Sequence, residues 1–169
     1  RRERGLCYHS LMPTNLYGPG DNYDLVGGHV LPTMIRKFEE ARQRGDATVP
    51  LWGTGTPLRE FLHVDDLAEA CLFVLDLEDP PDLANVGSGE EVSIRDLAEK
   101  VRTATGCPAK IDWDASKPDG TPRKLCDTTL IRSLGWKPQI SLDEGLRRTV
   151  ACFREECATG RVRMARAAS

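Results

Sequence analysis

Apolar residues recur at Val30, Leu31, Met34, Ile35, Phe38 and Ala41, the spacing of one helical face. Pro32 falls in the first turn of that helix, where a missing N–H costs nothing. His29 then stands at or just before the helix's positive end. Leu67, Ala70, Cys71, Val74 and Leu75 repeat the pattern behind Asp65, a candidate N-cap. Ser93 with Asp96, and Ser141 with Glu144, form capping boxes. The first opens a helix through Ile94, Leu97, Ala98 and Val101 that ends at Gly106, and the second opens one through Leu142, Leu146, Val150, Phe153 and Cys157.

Short runs between these helices read as strands: Leu6 to Met12, Thr48 to Trp52, Arg59 to His63, Ala84 to Val86, and Lys110 to Trp113. Pro13 stops the first, since proline cannot donate to a ladder, and His9 within it is read as structural. Residues 13–28 hold four glycines, two prolines and two asparagines, which is turn chemistry throughout. Beyond Gly160 the tail is basic, alanine-rich and without apolar period, and is expected to fray. Strands alternating with helices make the fold class α/β.

The 169 residues fit one domain of common size, and 40% apolar with 29% charged is an ordinary globular balance. A net charge of −3 gives no reason to expect nucleic acid or an anionic membrane as partner. No apolar run approaches the ~18 residues of a membrane span, and no signal peptide opens the chain. Six scattered cysteines without a Cys-x-x-Cys pair argue against a zinc site or disulfide framework and for reduced thiols in a cytoplasm. The first residue is Arg1 rather than Met, as expected of a piece of a longer protein.

Gly18, Gly53 and Gly87 each begin a Gly-x-Gly, but none has the third glycine of a dinucleotide fingerprint. Nor is there a Tyr-x-x-x-Lys, because Met12, Asp21 and Gly27 stand four beyond Tyr8, Tyr17 and Tyr23. His63-Val64-Asp65-Asp66 suits no common metal site, so no metal is expected.

Pro13-Thr14-Asn15-Leu16-Tyr17-Gly18-Pro19, Arg59-Glu60-Phe61-Leu62-His63-Val64-Asp65-Asp66 and Asn85-Val86-Gly87-Ser88-Gly89 resemble motifs of nucleotide-sugar epimerases and dehydratases, the extended short-chain dehydrogenases. Three further pieces narrow the resemblance to the GDP-L-fucose synthase family. They are Asp21-Asn22 leading to His29-Val30-Leu31-Pro32, Trp52 to Pro57, and Ser116 to Lys124. The similarity runs from about Gly5 to Phe153 and matches the family's C-terminal portion: the last strands and helices of a Rossmann-type sheet plus a small α/β substrate lobe. It implies that 5–26 and 64–88, with the last helix 141–157 as a further candidate, return to the nucleotide-binding fold. Residues 27–62 and 89–140 would build the sugar-nucleotide lobe, with 158–169 a frayed tail.

The implied activity is NADPH-dependent 3,5-epimerisation and 4-reduction of GDP-4-keto-6-deoxy-D-mannose to GDP-L-fucose, in a cytoplasmic homodimer. Without the phosphate cradle and Tyr-x-x-x-Lys, the chain by itself is expected to be inactive. A sister epimerase or dehydratase, or a non-catalytic binding or assembly module, are the alternatives. His29 alone reads as a loop or cap residue; the resemblance makes it an acid–base catalyst and a cofactor contact. Its cysteine partner in the family lies upstream of the missing tyrosine, so none of the cysteines here takes that role. Pro13, Thr14, Asn15 and Leu16 would lie along the nicotinamide of NADP(H), or simply form a turn. Arg59 would grip the GDP-sugar diphosphate, or be an exposed arginine. Lys37 is a solvated lysine or a second diphosphate contact, Trp52 core or a pocket wall, and Asp119 a turn residue or part of a loop over the nucleotide.

Overall fold

The structure, a computed structural model, describes residues 3, 5 and 8–164. Leu6 and Cys7 of the anticipated first strand, and 165–169 of the tail, lie outside the described residues. The chain runs β1 (Ser10–Pro13), β2 (Asn15–Tyr17), α1 (Val30–Arg44), β3 (Thr48–Trp52), β4 (Leu58–His63), α2 (Val64–Leu75) and β5 (Leu83–Val86). It continues through β6 (Glu91–Ser93), α3 (Ile94–Thr105), β7 (Lys110–Asp114), β8 (Arg123–Lys124), α4 (Thr129–Ser133) and α5 (Leu142–Ala158). The fold class is α/β, as the alternating pattern implies.

Three small sheets organise it: β1 beside β5, β3 beside β7, and β4 flanked by β2, β6 and β8. Every pairing is parallel except β4 with β6. Two strand expectations need correction. Pro13 does not stop the first strand from outside; it is its last residue, opposite Val86, and the Thr14 amide carries the ladder on to the Val86 carbonyl at 3.0 Å. His9 therefore lies one residue before the strand rather than in it. The stretch 13–28 is not all turn either, since Asn15–Tyr17 pairs with Phe61–His63. Three residues are too few for an alternation to show.

The caps explain where helices begin. Ser93 accepts from the Asp96 amide at 3.0 Å and Ser141 from the Glu144 amide at 3.3 Å, while Gly106 closes α3 in the left-handed conformation. For α2 the expected cap is wrong. His63, not Asp65, is the N-cap, and its Nδ1 accepts from the Asp65 amide at 3.3 Å. A buried imidazole that ends β4 can reach this amide; Asp65 is already inside the first turn. The expected α2 stripe is also narrower, because Ala70 and Val74 are buried while Leu75 is exposed.

The larger core joins Leu31, Ile35 and Phe38 of α1 to Leu97 and Val101 of α3 and to Leu146, Val150 and Phe153 of α5. Glu39 is buried among these helices, where Arg154 Nε at 3.0 Å and Arg42 at 3.0 Å neutralise it, and Arg154 also donates to the Thr105 carbonyl at 2.8 Å. The smaller core packs Leu62, Ala70, Val74, Ala84 and Val86 against Ile131 and Trp136. Packing thus groups α5 with α1 and α3, and α4 with α2 and β5. The tail is held rather than frayed up to residue 164. Arg163 pairs with Asn22 and accepts from the Tyr23 amide at 2.9 Å, and Val162 and Met164 pack on the larger core. Pairing to a distant loop, which leaves no apolar period, holds this segment.

Phe38 has no exposed surface and sits where the three helices meet. Phe38→Ala is expected to lower the unfolding free energy by about 3–5 kcal/mol in urea melts. A much smaller loss would mean that this core is not what holds the helices together.

Candidate active-site cleft

A cleft of about 630 Å³ runs along β2 and past its C-terminal end, beside Arg59 and Phe61 of β4, walled by Gly18 to Asp21, the start of α1, and Lys124 of β8. It brings together Thr14, Asn15, Leu16, His29 and Arg59, five residues singled out in the sequence. The end of a parallel strand pair is where α/β sheets bind ligands.

His29 is exposed and caps α1 with its backbone alone, for its side chain makes no cap hydrogen bond. The imidazole is therefore not used in capping. The turn before it is tightly built: Asp24 Oδ1 accepts from the Val26 amide at 3.0 Å, and the Gly28 amide donates to the Asp24 carbonyl at 3.0 Å. A Cβ at Gly28 would overlap the Asp24 and Asn22 carbonyls, so only glycine lets the chain turn into α1 here.

Arg59 and Lys124 stand opposite each other in the β4–β8 pairing, and both line the cleft. Arg59 donates to its neighbour's carbonyl, Leu58, at 2.7 Å. Among the described residues neither cation makes an ion pair, whereas adjacent Arg123 holds Glu91 at 2.7 and 2.8 Å. Lys124 ends the Ser116 to Lys124 motif, but nothing in its polar loop gives that lysine a role of its own. Glu60, next to Arg59 in β4 and also missed, is fully buried against the loops. Its carboxyl oxygens accept from the Gly89 amide at 2.6 Å and the Cys126 amide at 2.9 Å. Its carbonyl accepts from Asn15 Nδ2 at 2.8 Å and Thr14 Oγ1 at 3.3 Å. Those two side-chain groups are thus tied to β4.

The other named residues lie outside this cleft. Pro13 is in β1, one residue short of its lining. Lys37, Trp52 and Asp119 form a group of their own. Trp52 is 71% exposed, so it is not core, and Lys37 and Lys117 flank its ring with Nζ at 6.0 and 5.8 Å from the ring centre. Lys37 Nζ donates to the Pro50 carbonyl at 2.9 Å, and partial burial holds its pKa below the usual lysine value. Asp119 accepts from the Thr54 amide at 2.9 Å and pairs with its hydroxyl at 2.7 Å, bonds that lower the carboxyl's pKa. It closes a turn onto Gly53-Thr54, as a structural aspartate does. Among the described residues no group of three His, Cys, Asp or Glu could hold a metal, and no helix is long and apolar enough to cross a membrane.

Parallel strands beside a cleft lined by this Thr-Asn-Leu-Tyr-Gly-Pro loop make a Rossmann-like α/β fold. The chain belongs to the NAD dependent epimerase/dehydratase family, whose profile matches residues 1–87. Its similarity narrows further. It is 56% identical over 149 residues to GDP-L-fucose synthase 1 of Arabidopsis thaliana, across 88% of this chain and 46% of that protein. With the GDP-L-fucose synthase of Escherichia coli K12 it shares 46% over 163 residues, 91% of this chain and 51% of the relative. The solved GDP-L-fucose synthetase of Naegleria fowleri bound to NADP superposes with a TM-score of 0.83 at 30% identity, covering 90% of this chain and 48% of that one. The chain spans about half the length of the curated relatives it matches.

Burial lowers the pKa of His63, with Arg148 acting the same way and Asp65 and Asp66 opposing. A proton on Nδ1 would also end its acceptance from the Asp65 amide. Folding stability is therefore expected to be complete above pH about 6.5, the unfolded value, and to fall as pH drops through the lower folded-state pKa. Urea melts at neutral and mildly acid pH check this. His63→Asn, which keeps a cap acceptor but does not titrate, should flatten the dependence; an equally steep one would assign it elsewhere.

Proposed function

We infer that this chain forms the sugar-nucleotide half of a GDP-L-fucose synthase, acting on GDP-4-keto-6-deoxy-D-mannose. One observation carries the reading: a single cleft is lined by residues 14–16, a histidine whose side chain is not used in capping, and two cations of β4 and β8 that make no ion pair among the described residues. The sequence similarity to GDP-L-fucose synthases supports the same substrate class.

The residues fit one end of a dinucleotide. The Gly-x-Gly-x-x-Gly cradle is not in this sequence, but residues 14–16 and His29 line a wall along which a nicotinamide would lie. Bound NADPH would supply the hydride for C4. Arg59 and Lys124 would hold the diphosphate, the guanidinium by a planar fork and the ammonium as a point charge. His29 would return or remove the proton at C3 or C5, which the neighbouring ketone acidifies; inversion needs a group on each face. Lys37, Trp52 and Asp119 would form the outer wall towards the nucleotide, with Lys37 held by the Pro50 carbonyl rather than free to grip phosphate. A cytoplasmic homodimer, with 5–26 and 64–88 completing a nucleotide-binding fold, goes with this reading.

In the full-length protein carrying this chain, His29→Gln should slow deuterium incorporation at C3 and C5 by about 10²–10⁴ while hydride transfer persists. NMR of the product in deuterated water reads both, and an unimpaired rate of GDP-L-fucose formation would remove His29 from the mechanism. Arg59→Ala should weaken GDP binding by about 1.5–3 kcal/mol in calorimetry, the usual loss for a charged hydrogen bond. Equal affinity would return Arg59 to the role of a surface residue.

A further inference from the structure

Gly20 lies on the cleft wall, 136 residues before Glu156, yet its amide donates to Glu156 Oε1 at 3.0 Å. Cys152 Sγ, one turn earlier on α5, reaches the same oxygen at 3.4 Å. Asp21 follows Gly20 and lines the cleft with His29, near enough for the two to interact electrostatically. Its Oδ1 accepts from the Asn22 amide at 2.7 Å, and the next residues, Asn22 and Tyr23, are fastened to Arg163. The wall from 20 to 23 is thus clamped from behind by 152–163, and none of the clamping residues lines the cleft.

The clamp is costly in a way that packing does not explain. Glu156 Oε2 is buried with no hydrogen-bond partner among the described residues, and so is the hydroxyl of fully buried Tyr23. An apolar side chain at 156 would avoid that penalty. What only a carboxylate or amide oxygen can do there is accept from Gly20. Asp21 is half-buried, and burial raises its pKa most; the Asn22 amide, His29 and Arg163 draw it back down, while Glu156 opposes them.

We propose that Glu156 is a positioning residue for acid–base chemistry at His29. It holds the Gly20 amide, so that the Asp21 carboxylate stays on the wall facing His29 and offsets charge as the imidazole gains and loses a proton. This rests on His29 being the proton carrier of the preceding subsection.

Two measurements test it. In the full-length protein, Glu156→Ala should speed amide hydrogen exchange at Gly20 by about tenfold or more. Glu156→Gln should not, because its amide oxygen still accepts. In the full-length protein, Glu156→Ala and Asp21→Asn should each lower deuterium incorporation at C3 and C5 about tenfold relative to hydride transfer, with KM changed by less than about twofold. Glu156→Gln should restore that ratio. The proposal is overturned if Gln fails as badly as Ala, if Gly20 exchange ignores position 156, or if both chemical steps fall in proportion, as simple destabilisation would make them. A wild-type protein that exchanges no deuterium would instead bring down the function proposed above, and the positioning role with it, whatever Gly20 does.

Discussion

Glu60 has no exposed surface, and a carboxyl group so placed must find donors or forfeit a large solvation energy. It takes the amides of Gly89 and Cys126, and its carbonyl takes the side chains of Asn15 and Thr14. The entry to β2, the strand β4, the loop after β5 and the stretch after β8 therefore meet at one residue. Gly87 is glycine for the same reason, since a Cβ there would overlap Glu60 Oε1. Side chains alternate along a strand. With Glu60 turned inward to the loops, Arg59 and Phe61 are both turned the other way, and both line the cleft. One buried carboxyl thereby aims the arginine.

Such a constraint cannot be read from a sequence, and the contrast with the caps shows why. Ser93 with Asp96 and Ser141 with Glu144 act within one turn, so spacing alone predicts them, and the structure has both. The α1 face is equally local: Leu31, Met34, Ile35, Phe38 and Ala41 are all buried at the predicted period. Glu60 binds partners 29 and 66 residues away, a pairing no local pattern encodes. His63 displaced Asp65 as the α2 cap for the same reason, because its strand, β4, buries it beside Tyr17 with ring centres 5.3 Å apart. The hold of Arg163 on Tyr23 spans most of the chain and left only a basic, alanine-rich tail to read. The cleft itself was half legible. Thr14, Asn15, Leu16, His29 and Arg59 stood out through family motifs, whereas Lys124 enters only through the register that sets it beside Arg59.

That register also separates two kinds of positive charge. Lys37 and Lys117 flank the exposed ring of Trp52, where cation–π attraction is worth only about 0.5–1 kcal/mol. They are satisfied without a ligand, if weakly. Arg59 and Lys124 are like charges directly opposite on adjacent strands, an arrangement that destabilises a sheet. One position away the chain does the reverse and pairs Arg123 with Glu91 through two hydrogen bonds. A neutralising acid is therefore available to this strand, but among the described residues none pairs with Arg59 or Lys124. The free protein bears a repulsion that an anion bound between the two cations would relieve. Because such an anion binds the folded chain and not the unfolded one, its affinity adds to folding stability by mass action. An anion held there would couple binding to folding through these two side chains, of which Arg59 is aimed by Glu60.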